Sequence, residues 1–242
     1  MMIRYDAASM SRGIWGHPVK CLSVTLSLAP ASLPIAGLTD RSLVEATRLL
    51  VAQDADLAEV VGRLGTPPLW ARTPGFATLV HIILEQQVSL ASARAAFNRL
   101  KDALGEVTPE RVLTLNDSDL KAIGFSRQKT AYARYLAEAV GNKSLDLTIL
   151  NELDDEAVRA ALTKLKGIGS WSADIYLLMA LCRPDVWPSG DLALAIAVHQ
   201  VKRLPTRPGK EELDAIGRAW QPYRAVAARV LWHHYLNPQK TA

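Results

Sequence analysis

The chain has 242 residues, 49% hydrophobic and 21% charged. That balance excludes wholesale disorder, and the length suffices to bury a core without disulfide or metal staples. Two cysteines, Cys21 and Cys182, exclude a disulfide framework and any four-cysteine zinc or iron–sulfur site. Reduced, cytoplasmic surroundings are the default for such usage. Lys and Arg total 28 against 24 Asp and Glu, a net charge of +4. This permits a nucleic-acid partner without demanding one.

No apolar run reaches membrane-spanning length unbroken, so no membrane partner is expected. Leu22 to Leu38 comes nearest, and Ser and Pro interrupt it. The stretch after Lys20 faintly resembles a signal peptide, but what precedes it is long and contains Asp6. Residues 1–39 therefore read as an N-terminal extension, disordered or partly β.

From residue 40 the pattern is helical. Asp40 is a candidate cap for a helix with Leu43, Val44, Leu49 and Leu50 at its apolar positions. A short helix near Asp56 to Leu64 ends at Gly65-Thr66-Pro67-Pro68. Pro74 opens an apolar helix from Phe76 to about Gln86, and Ser89 can cap Ala91 to Leu104. Thr108-Pro109-Glu110 is a helix start with proline in the first turn. Asn116 to Ile123 closes at Gly124, and Ser126 can cap Lys129 to Val140. Glu152 to Leu165, Ser170 to Cys182, Asp191 to Leu204, Glu211 to Ala219 and Pro222 to Tyr235 follow. The basic loop Arg203 to Lys210 reads as a solvated connector. Strand signals are nearly absent after residue 40, which implies an all-α fold.

The most informative stretch is Leu165-Lys166-Gly167-Ile168-Gly169-Ser170-Trp171-Ser172-Ala173. One helix ends, two glycines bracket Ile168, and Ser170 is a candidate cap of the next helix. Glycines let the backbone turn tightly and approach a ligand. The first amides of the new helix are unpaired and sit at the positive end of its dipole, where an anion such as a DNA phosphate fits. Taken alone, the same pattern also describes a helix–turn–helix without a ligand. About twenty residues on comes Pro184-Asp185-Val186-Trp187-Pro188-Ser189-Gly190-Asp191-Leu192. Asp191 precedes an apolar helix, so from that local context alone the plainer reading is an N-cap.

Together, the hairpin and the Pro-and-Asp loop resemble the helix–hairpin–helix DNA glycosylase superfamily, and within it the DNA-3-methyladenine glycosylase II type. Three more segments are similar: Gly75-Phe76-Ala77-Thr78-Leu79-Val80 to Leu84-Glu85-Gln86-Gln87-Val88-Ser89, Gly124-Phe125-Ser126-Arg127-Gln128-Lys129, and Trp220-Gln221-Pro222-Tyr223-Arg224 to Leu231-Trp232. The resemblance spans about residues 40 to 236. It implies a two-lobed fold, with a central lobe of about residues 73–184 and a second lobe from 40–72 plus 185–242. The active site would lie in the cleft between them.

The resemblance implies a base-excision-repair enzyme that flips alkylated purines out of double-stranded DNA and hydrolyses the N-glycosidic bond. Asp191 would act at the sugar, where positive charge develops. Bifunctional relatives carry a Lys at the position of Trp171, so this chain is expected to be monofunctional and to leave an abasic site. Trp171 and Tyr223 are the first candidates for an aromatic base pocket, and Tyr176 and Trp187 follow. Each is also readable as a core aromatic, and for Trp187 that is the plainer reading. A Tyr found in this branch one turn after the hairpin Trp is here Ile175. Gly167, Ile168, Gly169, Ser170 and Lys166 would hold backbone phosphate. Gln86 and Gln87 lie at the turn from which the family fills the gap left by the base; the plainer reading is a helix end capped by its own glutamines. Ser126 and Lys129 complete the candidate DNA contacts. The carbonyls of Thr163, Leu165 and Ile168 would hold a monovalent cation, Na+ or K+. No iron–sulfur cluster, zinc or required cofactor is expected, because no cysteine follows Cys182 and His199, His233 and His234 lack partners at metal spacing. The expected protein is a cytoplasmic monomer, nucleoid-associated in a bacterium. The alternatives are a glycosylase for uracil, deaminated or mismatched bases, and a non-catalytic DNA-binding module that needs the hairpin but not Asp191.

Overall fold

The computed structural model describes residues 37–237. Most of the N-terminal extension, with its signal-like stretch and Cys21, lies outside the described residues. Those described are helical, with no strand among them.

Helix α1 (Asp40–Gln53) is capped by Thr39 rather than Asp40. A cap residue must be extended, and Thr39 is (φ −112°, ψ 167°), whereas Asp40 is already helical. The Thr39 hydroxyl accepts the Ser42 N–H, and the Ser42 hydroxyl accepts the Thr39 N–H. Val44 and Leu49 are exposed; the buried stripe is Leu43, Ala46, Thr47 and Leu50. Asp54 caps α2 (Ala55–Leu64). Helix α3 (Phe76–Glu85) is apolar on most sides and buried accordingly.

Ser89 caps α4 (Leu90–Leu104), and Thr108 caps α5 (Pro109–Thr114) with Pro109 in its first turn. Asn116 and Asp119 form a reciprocal capping box on α6 (Asp117–Ile123), which Gly124 ends at φ +113°. Ser126 caps α7 (Arg127–Gly141). Helix α8 (Asp155–Thr163) is shorter than Glu152 to Leu165 because the Asp154 carboxylate takes the Ala157 N–H as cap, after a separate turn at Ile149–Asn151. Helix α9 (Ser170–Met179) stops before Cys182, whose φ of +53° is left-handed. Helices α10 (Leu192–Val201), α11 (Lys210–Gly217) and α12 (Arg224–Leu236) complete the described chain. None of these helices is long and apolar enough to cross a membrane.

Helices α1, α2, α10 and α12 pack on one another, and α3, α4, α6 and α7 pack together with α5 against α7. Helix α9 joins α8 to α3. The buried apolar side chains form one cluster. Two polar ties fasten it. Lys202 Nζ lies 2.7 Å from both Asp54 oxygens and 3.0 Å from Asp56, and Trp220 Nε1 donates to Asp54 at 2.8 Å. Burial alone would raise the Asp54 carboxyl, but the bonds from Lys202, Trp220 and the Leu57 N–H outweigh it and hold the group below its ordinary value.

The second tie is Arg229, which is wholly buried. Its guanidinium donates to the carbonyls of Leu69 (2.9 Å), Ala225 (3.0 Å) and Leu178 (2.6 Å). Burial lowers its pKa to about 10, so it remains charged at neutral pH. Leu178 lies in the last turn of α9, where a cation meets the negative end of the helix dipole. Arg229 thus fastens α12 to α9. Arg229→Met removes the donors and leaves the Leu69 and Leu178 carbonyls buried. Urea unfolding should show a loss of roughly 3 kcal/mol or more; a loss below about 1 kcal/mol would contradict this role.

Candidate active site

The turn between α8 and α9 requires glycine at one position. Gly167 has φ +98°, and a Cβ there would fall 2.1 Å from Cγ of the Tyr132 ring. Ile168 is buried, and its N–H donates to the Leu165 carbonyl at 3.1 Å. Gly169, not Ser170, caps α9: it is extended (φ −94°, ψ −177°) with no side chain to use, whereas Ser170 is already helical and exposed. The first amides of α9 therefore have no side-chain cap, and an anion can satisfy them. The two legs of the hairpin are tied by Arg159 Nε donating to Asp174 at 2.7 Å. Burial pushes the Asp174 carboxyl up despite this partner. Lys166 is exposed, with Nζ 5.1 Å above the Tyr135 ring. The exposed Thr163 ends α8 at the base of the hairpin.

Asp191 is both a cap and a junction. Its backbone is extended, and Oδ1 accepts the Leu194 N–H at 2.7 Å at the start of α10. Oδ1 also accepts Trp232 Nε1–H at 3.1 Å, and Oδ2 accepts Trp171 Nε1–H at 2.9 Å. Three helices thus deliver three N–H groups to one half-buried carboxylate. A carboxylate offers about four acceptor positions, so one remains, on Oδ2. Trp232 was not among the candidate pocket residues. Its only sequence signal is its place in the C-terminal Trp-x-Pro-Tyr-Arg segment, because its partner lies 41 residues away.

Tyr223 is half-buried at the start of α12. Beside it, the Arg224 fork grips Asp185 at 2.9 and 2.9 Å, and the Arg224 N–H adds a third bond to the same carboxylate. This pair docks α12 on the loop that leads to Asp191. Tyr176 and Trp187 are not pocket walls. Tyr176 is fully buried and its hydroxyl accepts the Gly75 N–H at 3.0 Å. Trp187 packs against Trp220 at 5.3 Å, donates to the Leu213 carbonyl, and presses so closely on Gly217 that a Cβ there would clash.

The turn after α3 also differs from expectation. Gln86 does not point its amide outward: Nε2 donates to the Gly167 carbonyl at 2.8 Å and to Ser172 Oγ at 3.0 Å. Lys129 Nζ donates to the Leu84 carbonyl at 2.7 Å, and its burial lowers its pKa. The Ser126 hydroxyl accepts the Lys129 N–H as a helix cap. All three polar groups make contacts within the protein. Gln87 is exposed, with φ +57°. Among the described residues, no group of three or more His, Cys, Asp or Glu is placed to hold a metal ion.

Comparison with known proteins gives a consistent result. A family profile described as HhH-GPD superfamily base excision DNA repair protein matches residues 80–222. The Bacillus subtilis protein YfjP, which carries the name of a DNA-3-methyladenine glycosylase, is 29% identical over 162 residues. The match covers 64% of this chain and 56% of that protein, so the chain spans little more than half its length. The crystal structure of DNA-3-methyladenine glycosidase from Bacillus halodurans is 32% identical, with a TM-score of 0.65 over 81% of this chain and 90% of that one. The Schizosaccharomyces pombe 3-methyladenine DNA glycosylase Mag1, in complex with abasic DNA, is 27% identical with a TM-score of 0.71, covering 82% of this chain and 100% of that one.

The hairpin makes a prediction of its own. Gly167→Ala should cost about 2–3 kcal/mol in urea unfolding, from the left-handed backbone and the Tyr132 ring. Gly169→Ala, where no heavy atom lies within 4 Å of the new Cβ, should change stability by less than about 1 kcal/mol. Equal costs at the two positions would contradict the described turn.

Proposed function

We propose that this chain, which belongs to the HhH-GPD superfamily of base excision DNA repair proteins, is a monofunctional DNA glycosylase for alkylated purines. It hydrolyses the N-glycosidic bond of a flipped-out base such as 3-methyladenine and leaves an abasic site. The observation that carries this reading is the Asp191 carboxylate, held by N–H groups of Leu194, Trp171 and Trp232 beside the hairpin. The names of the relatives support the same substrate class.

Amides at the start of α9 grip a phosphate of the lesion strand, and Lys166 adds a nearby positive charge. Gln87 fills the gap left by the extruded base. Alkylated purines carry positive charge and leave readily, and the partly buried Trp171 and Tyr223 rings stack on them. As the glycosidic bond breaks, positive charge grows on the sugar, and the carboxylate stabilises it. Because three donors orient that carboxylate in advance, no reorganisation is needed during the reaction. Water takes the sugar carbon, and the remaining acceptor position on Oδ2 is available to orient it. A Trp at position 171 supplies no amine, so no Schiff base forms with the sugar.

The packing of α1, α2, α10 and α12 on one another supports the two lobes of this reading, about 73–184 and 40–72 plus 185–242. A Na+ or K+ ion on the carbonyls of Thr163, Leu165 and Ile168 belongs to it as well; the Leu165 oxygen already accepts one N–H and keeps one lone pair. The enzyme works as a cytoplasmic monomer on double-stranded DNA.

The test is free-base release from heavily methylated duplex DNA, with wild type beside Asp191→Asn. Asn retains the cap on α10 but removes the charge. Wild type should release 3-methyladenine or 7-methylguanine without cutting the strand. The variant should fall by roughly 100-fold or more while still binding DNA. Turnover by the variant at the wild-type rate would overturn the role of Asp191. No release by either would favour deaminated bases, and then the binding module.

A further inference from the structure

Three consecutive residues at the end of α3 are each held by a different part of the protein. The Leu84 carbonyl accepts Lys129 Nζ from α7 at 2.7 Å. The buried Glu85 carboxylate takes the Arg72 fork at 2.9 and 2.7 Å. The Gln86 amide donates to the Gly167 carbonyl at 2.8 Å and to Ser172 Oγ at 3.0 Å. Of these three ties, only the last reaches the hairpin between α8 and α9. Its two acceptors flank the amides that would grip phosphate: Gly167 lies in the turn and Ser172 in the first turn of α9. Both N–H bonds of the Gln86 amide are thereby used.

The next residue is Gln87, exposed and in the left-handed region at φ +57°. Such a backbone is uncommon for a residue other than glycine and persists only where its surroundings impose it. The chain is pinned immediately before this residue. Helices α3 and α9 already meet through their apolar faces.

We propose that Gln86 is a positioning residue that couples the turn carrying Gln87 to the phosphate-gripping hairpin. Through it, seating of the hairpin on the lesion strand and placement of Gln87 in the emptied stack become one event. This rests on the glycosylase reading, and it assigns to Gln86 a mechanical role instead of a DNA contact.

The test is a double-mutant cycle between Gln86→Met and Gln87→Ala. Met matches the reach of Gln and lacks the donors. The readout is the preference for a duplex containing an abasic-site analogue over an undamaged duplex. Gln86→Met should lose about tenfold of that preference, with its melting temperature lowered by only a few degrees, the cost of the two lost bonds. In the Gln87→Ala background the same change should cost less than about twofold, because its effect passes through Gln87. An equal loss in both backgrounds, or equal weakening on both duplexes, would overturn the proposal. If wild type shows no preference for the abasic analogue, the glycosylase reading fails first. The coupling is then read without DNA, by amide hydrogen exchange. Gln86→Met should speed exchange in both 86–89 and 167–172; faster exchange in only one of the two segments would sink the coupling.

Discussion

The carboxylate of Asp191 is the point on which the rest of the structure converges. A half-buried anion must be hydrogen-bonded or it costs more than its segment can return. Here the donors come from the backbone of α10, the indole of α9 and the indole of α12. Meeting the needs of one side chain therefore fixes three helices relative to one another. It also leaves a negative charge in place beside the hairpin. Under the proposed function, the same bonds that make Asp191 an ordinary helix cap also orient it for chemistry. The two readings of this residue are thus one arrangement.

That arrangement depends on α12 being held in register. Arg229 binds the last turn of α9 from within the core, and Arg224 grips Asp185 in the loop before Asp191. Trp187 and Trp220 pack under the same loop, against a glycine at 217 that admits the ring. With α12 placed by these contacts, Trp232 arrives at the carboxylate. The C-terminal segment thus reaches Asp191 through Trp232 and the loop before it through Arg224.

A similar economy shapes the other side of the hairpin. Gln86 and Lys129 stand in segments that resemble the family's DNA-contacting turns, yet their polar groups bind distant parts of the protein. Sequence cannot separate these uses. A donor aimed at a phosphate and a donor aimed at a carbonyl are the same residue at the same spacing. What decides is whether a carbonyl or hydroxyl from a distant segment lies within about 3 Å. For Gln86 those partners are 81 and 86 residues away.

The sequence alone determined what is settled within a few residues. The helical pattern, the caps at Ser89, Thr108, Asn116 and Ser126, the stop at Gly124 and the bend at Gly167 follow from bonds that span four residues or fewer. Even there, Thr39 and Gly169 displaced Asp40 and Ser170 by one position, because backbone conformation and not side-chain chemistry selects the cap. Its motifs also carried the family. Tertiary structure decided which aromatics are core and which meet the carboxylate: Tyr176 and Trp187 went inward, and Trp232 came to Asp191. Identical indoles differ only in what packing brings within reach, and packing is settled by the whole chain at once.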